Sequence, residues 1–116
     1  TQIITETAEK AVVLCATAPG EAMTFTLDVP ASGTYELLAD FILGSDHGVV
    51  NLAINDQSVG KPFDAYASEP DASGPISFGV TTLDAGPKQL KMTVTGKNAR
   101  SGKYLAGVNA FYLVKR

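Results

Sequence analysis

The 116-residue chain contains no tryptophan, one cysteine and one histidine. The lone cysteine, Cys15, excludes an internal disulfide, and its place in the apolar run AVVLCA predicts a buried, inert thiol. Only 18% of the residues are charged while 45% are hydrophobic, a balance that excludes a disordered chain. No apolar run is long enough to cross a bilayer, so we expect no membrane span.

The chain length predicts a single domain over residues 1–116. A domain of this size holds one hydrophobic core but has no room for an enclosed active-site cavity as well. The chain begins at Thr1, and no charged and then apolar leader precedes the first strand. We therefore expect a processed product or a module excised from a longer protein.

Charge is distributed unevenly along the chain, whose formal net charge is −3. Every acidic residue lies at or before Asp84, whereas most basic residues follow it: Lys88, Lys91, Lys97, Arg100, Lys103, Lys115 and Arg116. Two interpretations are open, namely acidic and basic strands that neutralise one another or a basic patch that faces an anionic ligand. The sequence pI near 4.9 and the lack of basic residues interleaved with aromatics argue against nucleic acid as a partner.

Hydrophobic residues alternate with polar ones along most of the chain, as in strands with one buried face. The alternating segments are residues 23–29, 35–43, 50–54, 76–80 and 90–94. Residues 108–114 are apolar on both faces, which predicts a central strand covered on both sides. Nothing of useful length has helical spacing. The sequence thus predicts an all-β fold, an antiparallel two-sheet β-sandwich of the jelly-roll kind with about eight strands. The predicted core comprises Phe25, Leu37, Phe41, Leu52, Phe78, Leu90, Val94 and Phe111.

The connections sort into two groups if each strand crosses the sandwich once, because successive connections then alternate between its two ends. One end receives the tight connections at 31–33, 55–58 and 85–87. The other end receives those at 17–21, 44–48, 63–74 and 96–104, of which the last two are the longest. Long loops gathered at one end of a rigid sandwich predict a binding site there.

Catalytic motifs are missing. The sequence has no Gly-x-Ser-x-Gly nucleophile motif whose serine the single histidine, His47, could activate. We expect His47 to be a loop or strand-start residue. GKNARSGK has the wrong spacing for a phosphate-binding loop, and no helix follows it. The loop carboxylates Asp46, Asp64, Glu69 and Asp71 allow a glycoside hydrolase in principle, but solvated carboxylates are expected in so small a domain. We predict no catalytic residue, no metal ligand and no cofactor, except that Asp64, Glu69 and Asp71 resemble a site for a structural calcium.

Several short motifs carry a family resemblance: GTY at 33–35, DHGVV at 46–50, IND at 54–56, GKPFDAY at 60–66, GKN at 96–98 and SGKYLAGVN at 101–109. Over residues 22–114 the chain resembles the galactose-binding-like β-sandwich modules appended to bacterial glycan-degrading enzymes. Similar modules accompany the catalytic domain of glycoside hydrolase family one hundred and seventy-two and its relatives. The resemblance implies a secreted or periplasmic, non-catalytic domain that binds carbohydrate or docks onto a neighbouring catalytic domain.

A candidate ligand site follows at the end with the long loops, where the 64–71 loop faces the 97–104 loop. Because the chain lacks tryptophan, Tyr66 and Tyr104 are the loop aromatics available to stack on a sugar ring. Asp64, Asn98 and Arg100 are the expected hydrogen-bonding groups for sugar hydroxyls. Two other functions stay open. A structural or oligomerisation module would bury the tyrosines against a neighbouring domain or a copy of itself, and a small hydrolase would use the loop carboxylates.

Overall fold

The computed structural model describes residues 2–6 and 12–116, with side chains from residue 13 onward. This part of the chain forms nine β-strands: β1 Gln2–Glu6, β2 Val12–Leu14, β3 Ala22–Val29, β4 Gly33–Leu43, β5 Val49–Ile54, β6 Gln57–Asp64, β7 Asp71–Leu83, β8 Gly86–Gly96 and β9 Ala106–Lys115. Among the described residues there is no helix long and apolar enough to cross a membrane.

The strands form two antiparallel sheets. A five-stranded sheet has the order β1-β9-β4-β7, with β2 also paired to β9, and a four-stranded sheet has the order β3-β8-β5-β6. Strand β9 lies inside its sheet between β1 and β4, which agrees with its hydrophobic pattern. The predicted two-sheet β-sandwich is therefore confirmed.

The core lies between the facing sides of the two sheets. Seven of the eight predicted core residues are buried, and the eighth, Phe25, is partly buried and packs against the core. The Phe25 ring meets the Phe111 ring edge-on at a centroid distance of 5.0 Å. Phe41 is stacked on Phe63 at 4.9 Å and contacts Phe78 edge-on at 5.7 Å. Each fully buried side chain of this size stabilises the fold by about 1.5–3 kcal/mol.

The prediction of a buried Cys15 is wrong, because the thiol is exposed. Alternation continues past the end of β2, so Ala16 is buried while Val13 and Cys15 face outward. The run AVVLCA suggests continuous burial, but it is an edge segment with one covered face.

Strand β6 is not among the predicted alternating segments, although the sorting of the connections requires a strand between 55–58 and 63–74. The observed strand, Gln57–Asp64, extends beyond that interval at both ends. Most of its side chains are exposed, and Gly60 and Pro62 interrupt any alternation. Proline is tolerated here because β6 is an edge strand. Strand β7 also begins earlier than predicted, so the expected connection over 63–74 shortens to residues 65–70.

The tight turns lie as predicted. Asn55 and Asp56 have φ values of 49° and 68° and join β5 to β6 as a two-residue hairpin, the conformation of a type I′ turn. At the same end, Ser32 Oγ accepts a hydrogen bond of 3.1 Å from the backbone N–H of Ala85. The opposite end carries the longer loops.

Candidate functional site

Three loops meet at the end of the sandwich opposite the hairpins. We call them the central loop (residues 44–48), the tyrosine loop (65–70) and the basic loop (97–105). The central loop is hydrogen-bonded to the tyrosine loop through Gly44 N to Ala65 O at 3.1 Å. It is hydrogen-bonded to the basic loop through Gly48 N to Leu105 O at 2.8 Å. The prediction that these connections share one end is confirmed.

Asp64 and Asn98, both predicted site residues, are in direct contact. The side-chain amide of Asn98 donates to Asp64 Oδ2 at 2.8 Å. The other carboxylate oxygen of Asp64 accepts from the backbone N–H of Tyr66 at 3.0 Å. Asn98 Oδ1 in turn accepts from the backbone N–H of Arg100 at 3.0 Å. This chain of hydrogen bonds sets the tyrosine loop against the basic loop and leaves the Arg100 side chain exposed.

The two candidate tyrosines are both only partly exposed. Tyr66 forms an isolated backbone bridge with Gly44. Tyr104, predicted as a loop aromatic available for stacking, instead packs against the hydrophobic core and is partly buried there. Lys97 Nζ lies 5.8 Å from the centroid of the Tyr104 ring and donates to the carbonyl oxygen of Ser101 at 3.0 Å. Tyr104 therefore both supports the basic loop and presents part of its ring at the surface.

Sequence reasoning missed the buried polar residue Ser101. Its exposure is 4%, and Ser101 Oγ lies 2.7 Å from the carbonyl oxygen of His47 and 2.9 Å from that of Lys103. A hydroxyl donates its one proton to one carbonyl at a time. The hydrophobic alternation that predicts burial in strands is missing from a polar, glycine-rich loop, so it cannot identify a buried serine there. Its role follows only from the contact with a residue 54 positions away.

His47 is a loop residue, as predicted, and only Gly48 separates it from β5, but it is also buried, with 8% of its surface exposed. The ring packs so closely on Gly44 that a Cβ atom there would lie 2.7 Å from His47 Cδ2. Among the described residues, Nδ1 of this ring is buried without a hydrogen-bond partner. Burial lowers the pKa of His47, and the neighbouring Asp46 carboxylate opposes part of that shift.

Two of the three predicted calcium ligands, Asp64 and Asp71, are engaged in local hydrogen bonds. Asp64 Oδ2 accepts a hydrogen bond from the Asn98 side chain, and Asp71 Oδ1 accepts one from the backbone N–H of Ala72 at 2.8 Å. Within the described part of the chain, no three His, Cys, Asp or Glu side chains form a group that could hold a metal ion. The structural calcium stays a prediction.

Comparison with protein-family models finds no match, and neither does comparison with curated proteins. Several solved structures are similar to this chain. Part of a Paenibacillus xanthan lyase matches with a TM-score of 0.80 and 24% identity, covering 98% of this chain and 12% of that one. The CBM36-1 domain of a multidomain xylanase from the hindgut metagenome of Trinervitermes trinervoides matches at 0.60 and 16% identity, covering 90% of this chain and 77% of that one.

A family 35 carbohydrate-binding module from Clostridium thermocellum matches with a TM-score of 0.54 and 15% identity over 100% of both chains. The chain has the β-sandwich fold of carbohydrate-binding modules. It spans 12% of the xanthan lyase chain but the full length of the family 35 module. Kinship with the modules of glycoside hydrolase family one hundred and seventy-two stays a prediction.

Proposed function

We propose that the chain is a non-catalytic carbohydrate-binding module of a longer, bacterial, secreted or periplasmic glycan-active protein. The observation that carries this proposal is the Asn98–Asp64 contact, which sets the tyrosine loop against the basic loop on a fold shared with carbohydrate-binding modules. Asp64 also accepts from the backbone of Tyr66, and Asn98 from the backbone of Arg100, so the loops that carry an aromatic ring, a carboxylate, an amide and a guanidinium meet at this contact. Such a mixture suits a polyhydroxylated ligand, because sugars present both apolar ring faces and hydroxyl groups.

Each predicted site residue has a role in this proposal. Tyr66 offers its partly exposed ring as the stacking surface, and Arg100 offers exposed guanidinium donors to sugar oxygens. Asp64 and Asn98 hold the loops in place and retain lone pairs for sugar hydroxyls. Tyr104 supports the basic loop from the core side and adds ring area at its exposed edge.

The test is calorimetric titration of the purified chain against soluble xanthan and xylan, followed by a glycan array. The names of the similar structures, a xanthan lyase and a xylanase, suggest these two polymers as first probes. Tyr66→Ala and Arg100→Ala are expected to weaken binding, and Thr26→Ala, on the exposed face of β3, is the control. Saturable binding that neither loop variant changes would contradict this site.

The absence of catalysis is tested separately. We expect no release of reducing ends from xanthan, xylan or aryl glycosides. Both carboxylate oxygens of Asp64 already accept hydrogen bonds, one from the Tyr66 backbone and one from the Asn98 side chain. Turnover that disappears in Asp64→Asn while binding persists would contradict the proposed binding module and show that the chain is a hydrolase.

One observation favours a structural or oligomerisation module as the second candidate. The outer face of the five-stranded sheet carries the partly exposed Leu38, Ile42 and Tyr112 beside Glu36 and Asp40, whereas the outer face of the other sheet carries Thr24, Thr26, Gln89 and Lys91. Apolar and aromatic side chains on an outer face are typical of a surface that meets another protein. A dimer in sedimentation velocity that dissociates in Ile42→Asp would support this candidate, and a monomer at high concentration would argue against self-association.

A further inference from the structure

Two polar residues are buried in the described part of the chain, His47 and Ser101, and the Ser101 side chain contacts the backbone of His47. Ser101 Oγ lies 2.7 Å from the backbone carbonyl oxygen of His47. The central loop and the basic loop are thus joined at buried polar groups as well as through their backbones. Buried polar groups are costly unless they are satisfied, so such a contact fixes its two loops in one arrangement.

The central loop connects the two loops that carry the candidate site. On one side, Ala67 N donates to Gly44 O at 3.1 Å, and Ala65 N donates to Gly48 O at 3.1 Å. On the other side, Leu105 N donates to Asp46 O at 3.0 Å, and Gly102 N donates to Ser45 O at 3.1 Å. His47 lies in the middle of these contacts. The ring packs on Gly44, which is bonded to the tyrosine loop, and the His47 carbonyl oxygen lies 2.7 Å from Ser101 Oγ of the basic loop. A displacement of His47 would therefore affect contacts to both neighbouring loops.

The environment of the His47 ring favours the neutral imidazole. His47 contributes to the lining of an open surface depression of about 180 Å³. The other lining residues are Ile42, Leu43, Gly44, Ser45, Asp46, Pro70 and Leu105. Asp46 is the one charged group in that lining. A protonated ring needs an acceptor at both nitrogens, yet Nδ1 has none among the described residues. Burial accordingly lowers the pKa of His47 despite Asp46.

We propose that neutral His47 is a positioning residue of the loop site, which holds the tyrosine loop and the basic loop at their spacing and releases them when the ring gains a proton. The consequence for glycan affinity rests on the proposed function. The loosening of the loops is a property of the free protein and is independent of any ligand. Weakened glycan binding at acid pH follows from it.

The experiment uses the free chain, in which His47 is the one histidine and gives a single imidazole signal in NMR. Amide hydrogen exchange is followed from about pH 7.5 to about pH 5, corrected for the intrinsic rate. We expect the amides of Gly48, Gly102 and Leu105 to lose at least about tenfold in protection as the imidazole titrates, while β8 amides keep theirs. The titration midpoint is expected below the ordinary histidine value of about 6.5.

Two variants separate positioning from general acid sensitivity. His47→Gln cannot gain a proton, so its loop protection is expected to be independent of pH over this range. Asp46→Asn removes the carboxylate that favours the charged ring, so the loop transition should move to lower pH than in the parent chain. If His47→Gln does not fold, the direction of the shift in Asp46→Asn still tests the proposal.

Each outcome is informative. Three results would each overturn the positioning role. The imidazole could titrate at or above the ordinary value, or the loop protection could stay constant as the imidazole titrates. The third is a loop transition that moves to higher pH in Asp46→Asn. Titration of xanthan and xylan at about pH 7.5 tests the proposed function separately, because the ring is neutral there. Failure of glycan binding with an intact loop transition would reject the function and leave the positioning role in place.

Discussion

Asn98 donates a hydrogen bond of 2.8 Å to the carboxylate of Asp64, which lies 34 positions earlier in the chain. Asp64 ends β6 and Asn98 lies after β8, and both connections cross from the four-stranded sheet to the five-stranded sheet. Their contact joins the tyrosine loop directly to the basic loop. Opposite partial charges at such a contact order both loops without burying either residue deeply. The candidate site therefore depends on a polar contact rather than on the hydrophobic core.

Asn98→Ala should loosen the site without unfolding the domain. The variant loses two exposed side-chain hydrogen bonds, to Asp64 and from the backbone of Arg100. We expect the free energy of unfolding to fall by about 1–3 kcal/mol, at about 0.5–1.5 kcal/mol for each bond. Hydrogen exchange in the tyrosine loop and the basic loop should accelerate. Asn51→Ala is the matched control, because Asn51 also donates a side-chain hydrogen bond, to Ser58 Oγ at 3.3 Å, but on the sheet face. Equal effects of both variants on the loops would contradict the account.

Phe41→Ala should be among the most damaging substitutions in the core. Phe41 is fully buried and its ring contacts both Phe63 and Phe78. Removing it leaves a cavity between the sheets, and we expect a loss of about 3–5 kcal/mol in the free energy of unfolding measured with denaturant. Val80→Ala, at a position 58% exposed, is the control and should change stability by less than about 0.5 kcal/mol. A loss below about 1 kcal/mol for Phe41→Ala would mean that the two sheets do not meet at this residue.

The pH dependence of stability has a defined sign at His47. Burial lowers the folded-state pKa, so the unfolded chain binds a proton more readily than the folded chain. The contribution of His47 to stability is therefore fully present above about pH 6.5 and is lost as the pH falls from there through the lowered folded-state pKa. Denaturant unfolding at several pH values should show a smaller acid loss in His47→Gln than in the parent chain. Identical pH profiles for the two chains would rule out this linkage.

The sequence predicts the sandwich well because its signals are local and repetitive. Alternation along β4, β8 and β3 identifies the inner faces, and the strand count alone places the long loops at one end. Cys15 and the bounds of β6 show where this reasoning fails. An edge strand with glycine and proline lacks alternation, and a short apolar run does not reveal that only one of its faces is covered.

The candidate site is only partly predictable for a different reason. Asp64 and Asn98 are recognisable as polar loop residues, and strand parity brings their loops together. The buried contact between Ser101 and His47 depends on the packing of two loops that are distant in sequence. Neither the residue types nor their spacing predicts it. Long-range packing likewise draws Tyr104 toward the core.

Calorimetric titration of Tyr66→Ala against the glycan that binds the parent chain tests the central claim most directly. Tyr66 contacts Asp64 and Gly44 through its backbone, so alanine keeps the loop connections and removes only the ring. The account predicts binding weakened by about 1–3 kcal/mol through lost stacking area, with the unfolding transition and the Thr26→Ala control unchanged. Unchanged affinity in Tyr66→Ala, with the fold intact, would place the ligand elsewhere and contradict the claim that these loops bind carbohydrate.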